Sequence, residues 1–235
     1  MAKGKIIVIE GTDCSGKETQ ANFLLDALNT NGHKTIKMQF PMYDTPTGKI
    51  VGGPYLGKSY LCEGYFEEGA AHVDPKVAAL YYAADRKYNI HKILEAIDQG
   101  INVILDRYVD SNMAHQAGKI EDDIEQNEMI SWLEKLEYDF LDLPRPDTTI
   151  FLYMPYEATL ILKQGREEKP DQHEADPKHL MCAERAYKKL AKRFFYDTVN
   201  CTENGRIKTK EEIADEVYKI IMNKYFFEGE SEDDK

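Results

Sequence analysis

Cysteine is scarce in this sequence: Cys14, Cys62, Cys182 and Cys201 are the only four among 235 residues. No two share metal-ligand spacing, and a chain of this length has no need of disulfide staples. Free thiols in a reducing cytoplasm are the expectation. Long apolar runs are also lacking, since none approaches the length that spans a bilayer. The opening MAKGKIIVIEG holds a short apolar stretch broken by Glu10, too short for the core of a signal peptide. No membrane association is expected. Positive charge is in deficit, with 30 Lys and Arg against 42 Asp and Glu, for a formal net charge of -12. Sequence-independent binding to nucleic acid needs a basic footprint, so it is excluded as an expectation. A local cluster of Arg, Lys and backbone N–H groups can still hold a phosphorylated small molecule. The base-reading Asn-Lys-x-Asp pattern of GTPase switches is missing as well; the one Asn-Lys pair, Asn223-Lys224, falls in the last expected helix.

What is present is ordinary for a globular enzyme: 42% hydrophobic and 31% charged residues. One domain over residues 1–227 is expected, with chain enough to bury a core. The final EGESEDDK, residues 228–235, has five acids and one Lys and no apolar residue to bury, so it reads as a disordered tail.

Along the chain, continuous apolar runs alternate with helical periodicity. KIIVIEG (5–11) and NVILDRY (102–108) suit buried strands, KTIKMQF (34–40) and TTIFLYM (148–154) read as further strands, and VNCT (199–202) as a weak fifth. Helices are expected over 16–29, stopped by Asn31-Gly32, and over 75–99, where Val77, Leu80, Tyr81, Ala84, Tyr88 and Ile93 recur at helical spacing. Further helices are expected from Ser111, over 120–141, over 155–165, over 178–198, and from a capping box at Thr209 and Glu212 to about Phe227. Residues 42–73 read as irregular with one short helix, and 166–177 as a polar loop. Strand-helix alternation predicts an α/β fold with a parallel sheet and right-handed crossovers.

The chemistry begins with GTDCSGKET, residues 11–19. A strand, a Gly-rich turn and a helix stand in the order that makes a phosphate cradle: backbone N–H groups form an anion nest and the helix N-terminus adds positive potential. Gly11, Gly16 and Lys17 fit G-x-x-x-x-G-K, but Glu18 fills the position where a Ser or Thr hydroxyl normally ligates Mg²⁺, and Thr19 comes one residue late. Glu18 can reach the metal through water, or point aside and leave Thr19 to contact a phosphate; or the loop no longer supports catalysis. In ILDRY, Asp106 and Arg107 sit at the carboxyl end of a buried strand, where open α/β sheets bind ligands. Asp106 suits a magnesium shell and Arg107 a bidentate phosphate clamp. Alone, Tyr82 is equally readable as core, and Arg86 beside Asp85 as a solvated charge pair.

Taken together, GTDCSGKETQ, FPMYDTPTG, YYAADR, DRYVDSNMAHQ and a late Asp-x-x-Glu resemble the thymidylate (dTMP) kinase family across roughly residues 5–220. The resemblance implies a P-loop NTPase fold, with a five-stranded parallel sheet flanked by helices and a lid at about 164–177. It implies γ-phosphoryl transfer from ATP to dTMP with Mg²⁺, in a homodimer. By the same resemblance Gly11, Thr12, Asp13, Cys14, Ser15, Gly16, Lys17, Glu18 and Thr19 would hold ATP. Asp13, Phe40, Pro41, Tyr43, Tyr82, Arg86, Arg107, Ser111, Asn112, His115 and Asp171 would hold dTMP. Tyr82 would stack on thymine, Arg86 would bond its carbonyl, and Asp171 and Glu174 would match the acidic pair after the lid. Tyr187 falls where the family pattern expects it. Asp13, Lys17, Asp106, Arg107 and a lid arginine, Arg166, would be catalytic, and Asp106 would hold the metal. Met42 stands where many members have Arg, and His115 where many have Tyr. Those departures leave open a kinase for another pyrimidine deoxynucleotide, and Glu18 leaves open a nucleotide-binding protein without turnover.

Overall fold

β1 (Ile6–Gly11) is buried along its whole length, and its neighbours show why the run is apolar throughout. In the computed structural model, which describes residues 2–163, 173 and 175–226, the chain continues through α1 (Lys17–Thr30), β2 (Thr35–Gln39), α2 (Pro46–Ile50), α3 (Pro75–Asp98), β3 (Asn102–Asp106) and α4 (Val109–Asn112). It then forms α5 (Asp123–Glu134), β4 (Thr148–Tyr153), α6 (Tyr156–Lys163), α7 (Pro177–Arg193) and β5 (Asp197–Asn200). A small antiparallel pair, β6 (Thr202–Glu203) and β7 (Arg206–Ile207), precedes α8 (Lys210–Ile221). β1 to β5 form one parallel sheet in the order β2-β3-β1-β4-β5.

Alternate residues of the central strands feed two separate cores, as the pleat requires. Ile6, Val8, Val103, Leu105 and Phe151 face one side, under Ile93 and Ile97 of α3, Met129 and Leu133 of α5, and Leu190 of α7. Ile7, Ile9, Ile104, Ile150 and Leu152 face the other, under Leu24 and Leu28 of α1 and Ile213, Val217 and Ile221 of α8. A third, smaller cluster joins Val51, Tyr55, Leu56, Ala70 and Val73 to Ala78 at the start of α3. β1 and β3 pair with Ile9 opposite Asp106, so the turn after β1 and the end of β3 lie side by side at the carboxyl edge of the sheet.

The parallel α/β sheet with five strands is as expected, but several boundaries differ. α7 ends at Arg193, not at residue 198, and the fifth strand is 197–200, because Thr198 and Val199 are drawn into register with Phe151 and Leu152. β3 stops at Asp106, since Arg107 takes a left-handed φ of 67°. Residues 46–55 are a helix running into a wider π-type turn, the one short helix expected within 42–73, and they pack into the third cluster. On α3 the spacing was right and Ile93 is core, but the facing of most of the rest was not. Val77, Leu80 and Tyr88 are exposed, while Asp85, Arg86 and Asn89 are buried.

Candidate functional site

The Gly-rich turn is built by its conformation as much as by its side chains. A Cβ on Gly11 would lie 2.4 Å from Ser15 Oγ and 2.7 Å from the Leu152 carbonyl, so the strand can turn there only without one. Gly16 caps α1 at φ 78°, with no side-chain cap on the helix, so the first-turn N–H groups are left to the concavity of the loop. The loop is tied down from below: Thr12 Oγ1 donates to the Met154 carbonyl at 2.7 Å and accepts from the Met154 N–H at 3.0 Å. That hydroxyl is therefore committed to the fold. Lys17 is buried and donates to the carbonyls of Gly11 and Thr12 at 3.2 and 2.9 Å. Burial, reinforced by Arg107, pulls its ammonium down to about 8, against the opposing pull of Asp106, Asp13 and Glu10. Glu18 is exposed and Thr19 half-buried on the same rim.

Glu10 was read in the sequence only as an interruption of an apolar run. It is fully buried. Its Oε1 accepts from the N–H groups of Tyr108 and Ser111 at 2.8 and 3.0 Å. Its Oε2 accepts from the hydroxyls of Ser111 and Tyr187 at 2.7 and 2.9 Å. One carboxylate thus organises the turn after β3 and anchors α7 to it. Arg107 lies inside that turn, in a backbone conformation unfavourable for any side chain, a kind of strain that concentrates at functional sites. The signal was available: a lone acid inside a strand otherwise suited to two-sided burial needs partners.

Two clefts meet at this edge. One is a groove lined by Asp13, Cys14, Gly16, Lys17, Glu18 and Thr19 of the loop, with Asp106, Arg107, Lys58 and Lys210. The other is a more enclosed pocket lined by Tyr82, Arg86, Ser111, Asn112, His115, Gln116, His173 and Leu180, with Leu56 from the third cluster. Asp13, Phe40, Pro41, Tyr43 and Arg107 line both. Asp106 is buried, and its Oδ1 has no hydrogen-bond partner among the described residues. Arg166, Asp171 and Glu174 lie outside the described residues.

The pocket floor is a polar network. Arg86 donates from Nε to Glu137 Oε2 at 2.7 Å and from Nη2 to Glu137 Oε1, and Nη1 reaches the Tyr108 carbonyl at 3.3 Å. Both groups are buried. Arg86 is therefore not a solvated partner of Asp85; its guanidinium is held flat by Glu137, and Nη1 and Nη2 each keep a second N–H. Asn112 donates to Glu137 Oε1 at 2.9 Å and to the Ala79 carbonyl at 3.2 Å. Asp85 instead accepts from the Met42 N–H at 2.9 Å and the Thr47 hydroxyl at 2.7 Å, fixing the segment after the cis Phe40–Pro41 bond. Met42 is buried core. A groove with backbone donors and cations beside a pocket with an aromatic wall and a fixed guanidinium suits two phosphorylated ligands meeting at Asp13 and Arg107.

Comparison with known proteins points the same way. A family model described as thymidylate kinase matches residues 9–213. The thymidylate kinase of Schizosaccharomyces pombe is 28% identical over 221 residues, covering 94% of this chain and 93% of that protein. A probable thymidylate kinase of Thermococcus onnurineus is 31% identical over 196 residues, covering 80% of this chain and 84% of its own. Among solved structures, thymidylate kinase from Candida albicans superposes with a TM-score of 0.71 at 24% identity, covering 95% of this chain and 93% of that one, a likeness of fold.

Proposed function

The chain belongs to the thymidylate kinase family and converts dTMP to dTDP; from that premise we propose how its residues carry the transfer from ATP. The observation that supports the assignment of sites is the wall shared by the two clefts. The loop groove takes the triphosphate of ATP, and the enclosed pocket takes dTMP. Tyr82 stacks on thymine; Arg86 and Asn112 read the base edge; Phe40 and Pro41 border the nucleoside. Tyr43 lies near the acceptor phosphate, and His115 near the sugar. At the junction Arg107 holds the acceptor phosphate and Asp13 positions it.

Phosphoryl transfer needs two substrates held in line and negative charge neutralised, with little covalent work for the protein. Lys17 exchanges its bonds to the Gly11 and Thr12 carbonyls for phosphate oxygens, and the family resemblance assigns Arg166 as a second cation for the transfer. The acceptor oxygen is already an anion, so no strong base is required. A magnesium ion fits the donor set, because the unpartnered Asp106 Oδ1 is a hard oxygen ligand beside the groove. Asp106 would hold it, with Glu18 or Thr19 reaching it through water. When bound, the ion neutralises charge on the β- and γ-phosphates.

Two wider readings belong here. Among the described residues no helix is long and apolar enough to cross a membrane; a cytoplasmic setting is proposed from the family alone. The exposed stripe of Val77, Leu80 and Tyr88 on α3 suits a homodimer face. Steady-state phosphorylation of dTMP, dUMP, dCMP and dGMP by ATP tests the site assignment. dTMP is expected to give the highest kcat/KM. Bound ATP and dTMP with no ADP in a single turnover would instead mark a protein that binds without catalysing.

A further inference from the structure

Three histidines converge on one wall of the acceptor pocket, from three separate places in the chain. His115 follows α4, His173 lies in the expected lid range, and His179 sits in the first turn of α7. One ring nitrogen of each lies within 4.8 Å of the other two. His115 Nδ1 is 3.1 Å from His179 Nε2. His115 and His179 are hydrogen-bonded edge to edge, so one of the two nitrogens carries a proton that a metal would displace; His115 and His173 are 5.7 Å apart between centroids, and His173 and His179 4.4 Å. Aromatic packing by itself does not require the nitrogens to converge.

We propose that His115, His173 and His179 form a transition-metal site, selective for Zn²⁺, that fastens residue 173 to α7 and to the wall of the acceptor pocket. In a tetrahedral zinc site with bonds of 2.0–2.1 Å the ligand nitrogens stand about 3.4 Å apart. The 3.1 Å pair is close to that spacing, and the third nitrogen is within reach of a ring rotation. Imidazole ligands select Zn²⁺, Co²⁺ or Cu²⁺ over Mg²⁺, which prefers oxygen.

An outer partner orients one of the rings, as metal sites require: Tyr55 Oη donates to the Ala70 carbonyl at 3.0 Å and lies 3.0 Å from His173 Nε2. The backbone N–H of His179 donates to Asp176 Oδ1 at 3.0 Å, which caps α7 and fixes the place from which that ring extends. His115 and His173 both line the pocket, so three protein ligands leave a fourth position for water or a group of the acceptor.

The test is a titration of the full chain, stripped with a chelator, with Zn²⁺ alone and no nucleotide present. Its result is therefore independent of the assignment of the two clefts. One equivalent of Zn²⁺ should bind in competition with a chromophoric chelator, and Mg²⁺ should not displace it. Co²⁺ in place of Zn²⁺ should give the strong visible bands of a tetrahedral ion. H115Q, H173A and H179A should each weaken uptake by at least about 100-fold, the upper end of what a lost outer partner costs, and Tyr55→Phe by about tenfold. Should H179A fail to fold, H115Q and the wild-type Co²⁺ spectrum decide the matter. No stoichiometric uptake by the wild type, or uptake unchanged in H115Q and H173A, overturns the proposal.

Discussion

Glu10 accepts from four donors and is sealed from solvent. Glu10→Ala leaves those donors buried with nothing to bond and should destabilise the protein by about 3 kcal/mol, read by urea unfolding. The same variant should lower kcat, because the turn that carries Arg107 loses its anchor. Lys17 works as a cation, and burial brings its deprotonation to about 8. kcat/KM for ATP reports the free enzyme and should fall as pH rises through that value, since the charged form is the one lost. The kcat profile should fall at higher pH, because bound phosphate favours the ammonium. Lys17→Ala should lose most activity at every pH, whereas Glu18→Ser should keep it, since Glu18 lies exposed on the rim. Side-by-side initial rates check both variants. At this scale the sequence announced Lys17, Asp106 and Arg107 through motif spacing. It did not announce Glu10's partners or the histidine cluster, which are assembled from residues far apart along the chain.

Among the elements, α3 is the one with two faces whose apolar residues are not all inward. Its inner face carries Ala79, Ile90, Ile93 and Ile97 on the sheet, with Asp85 and Asn89 bonded to residues 42–47 and Arg86 lining the pocket, while Val77, Leu80 and Tyr88 look outward. A helical period shows that a face exists but does not say which side is the core. Arg86 and Glu137 join α3 to the turn after α5 with both charges buried. Glu137→Ala strands the guanidinium and should destabilise by about 3–5 kcal/mol. It should also raise KM for dTMP, since Arg86 loses its fixed plane. Thermal unfolding and acceptor titration separate the two effects. The central strands β1, β3 and β4 were legible because two-sided burial demands runs rich in Ile, Val and Leu, while the edge strands β2 and β5 carry weaker patterns. The end of α7 was not, because the chain turns at Phe195 through a left-handed φ and residues 197–200 are claimed by pairing with β4, which no local pattern encodes.

For the molecule as a whole, Asp110 links folding to pH. Burial, with the nearby charge of Glu10, pushes its carboxyl well above the ordinary carboxylate range, against the hydrogen bond from the Tyr196 hydroxyl. The folded chain therefore holds a proton that the unfolded chain has released, and stability should fall as pH rises above the ordinary Asp range towards neutrality. Asp110→Asn should flatten that slope, and Tm measured across pH checks it. The α/β architecture and the resemblance to one enzyme family could be read from five ordered motifs. The two-cleft arrangement could not, because it depends on a strand order that places the ends of β1 and β3 together.

Arg107 sets two requirements against each other. A left-handed backbone at that point suits glycine, and holding a long side chain there costs about 1–3 kcal/mol. A chain selected only to remain folded would drift towards glycine at position 107. An arginine there means that binding, and not stability, decides the residue, so the most effective route to a sturdier fold runs through its active centre and destroys it.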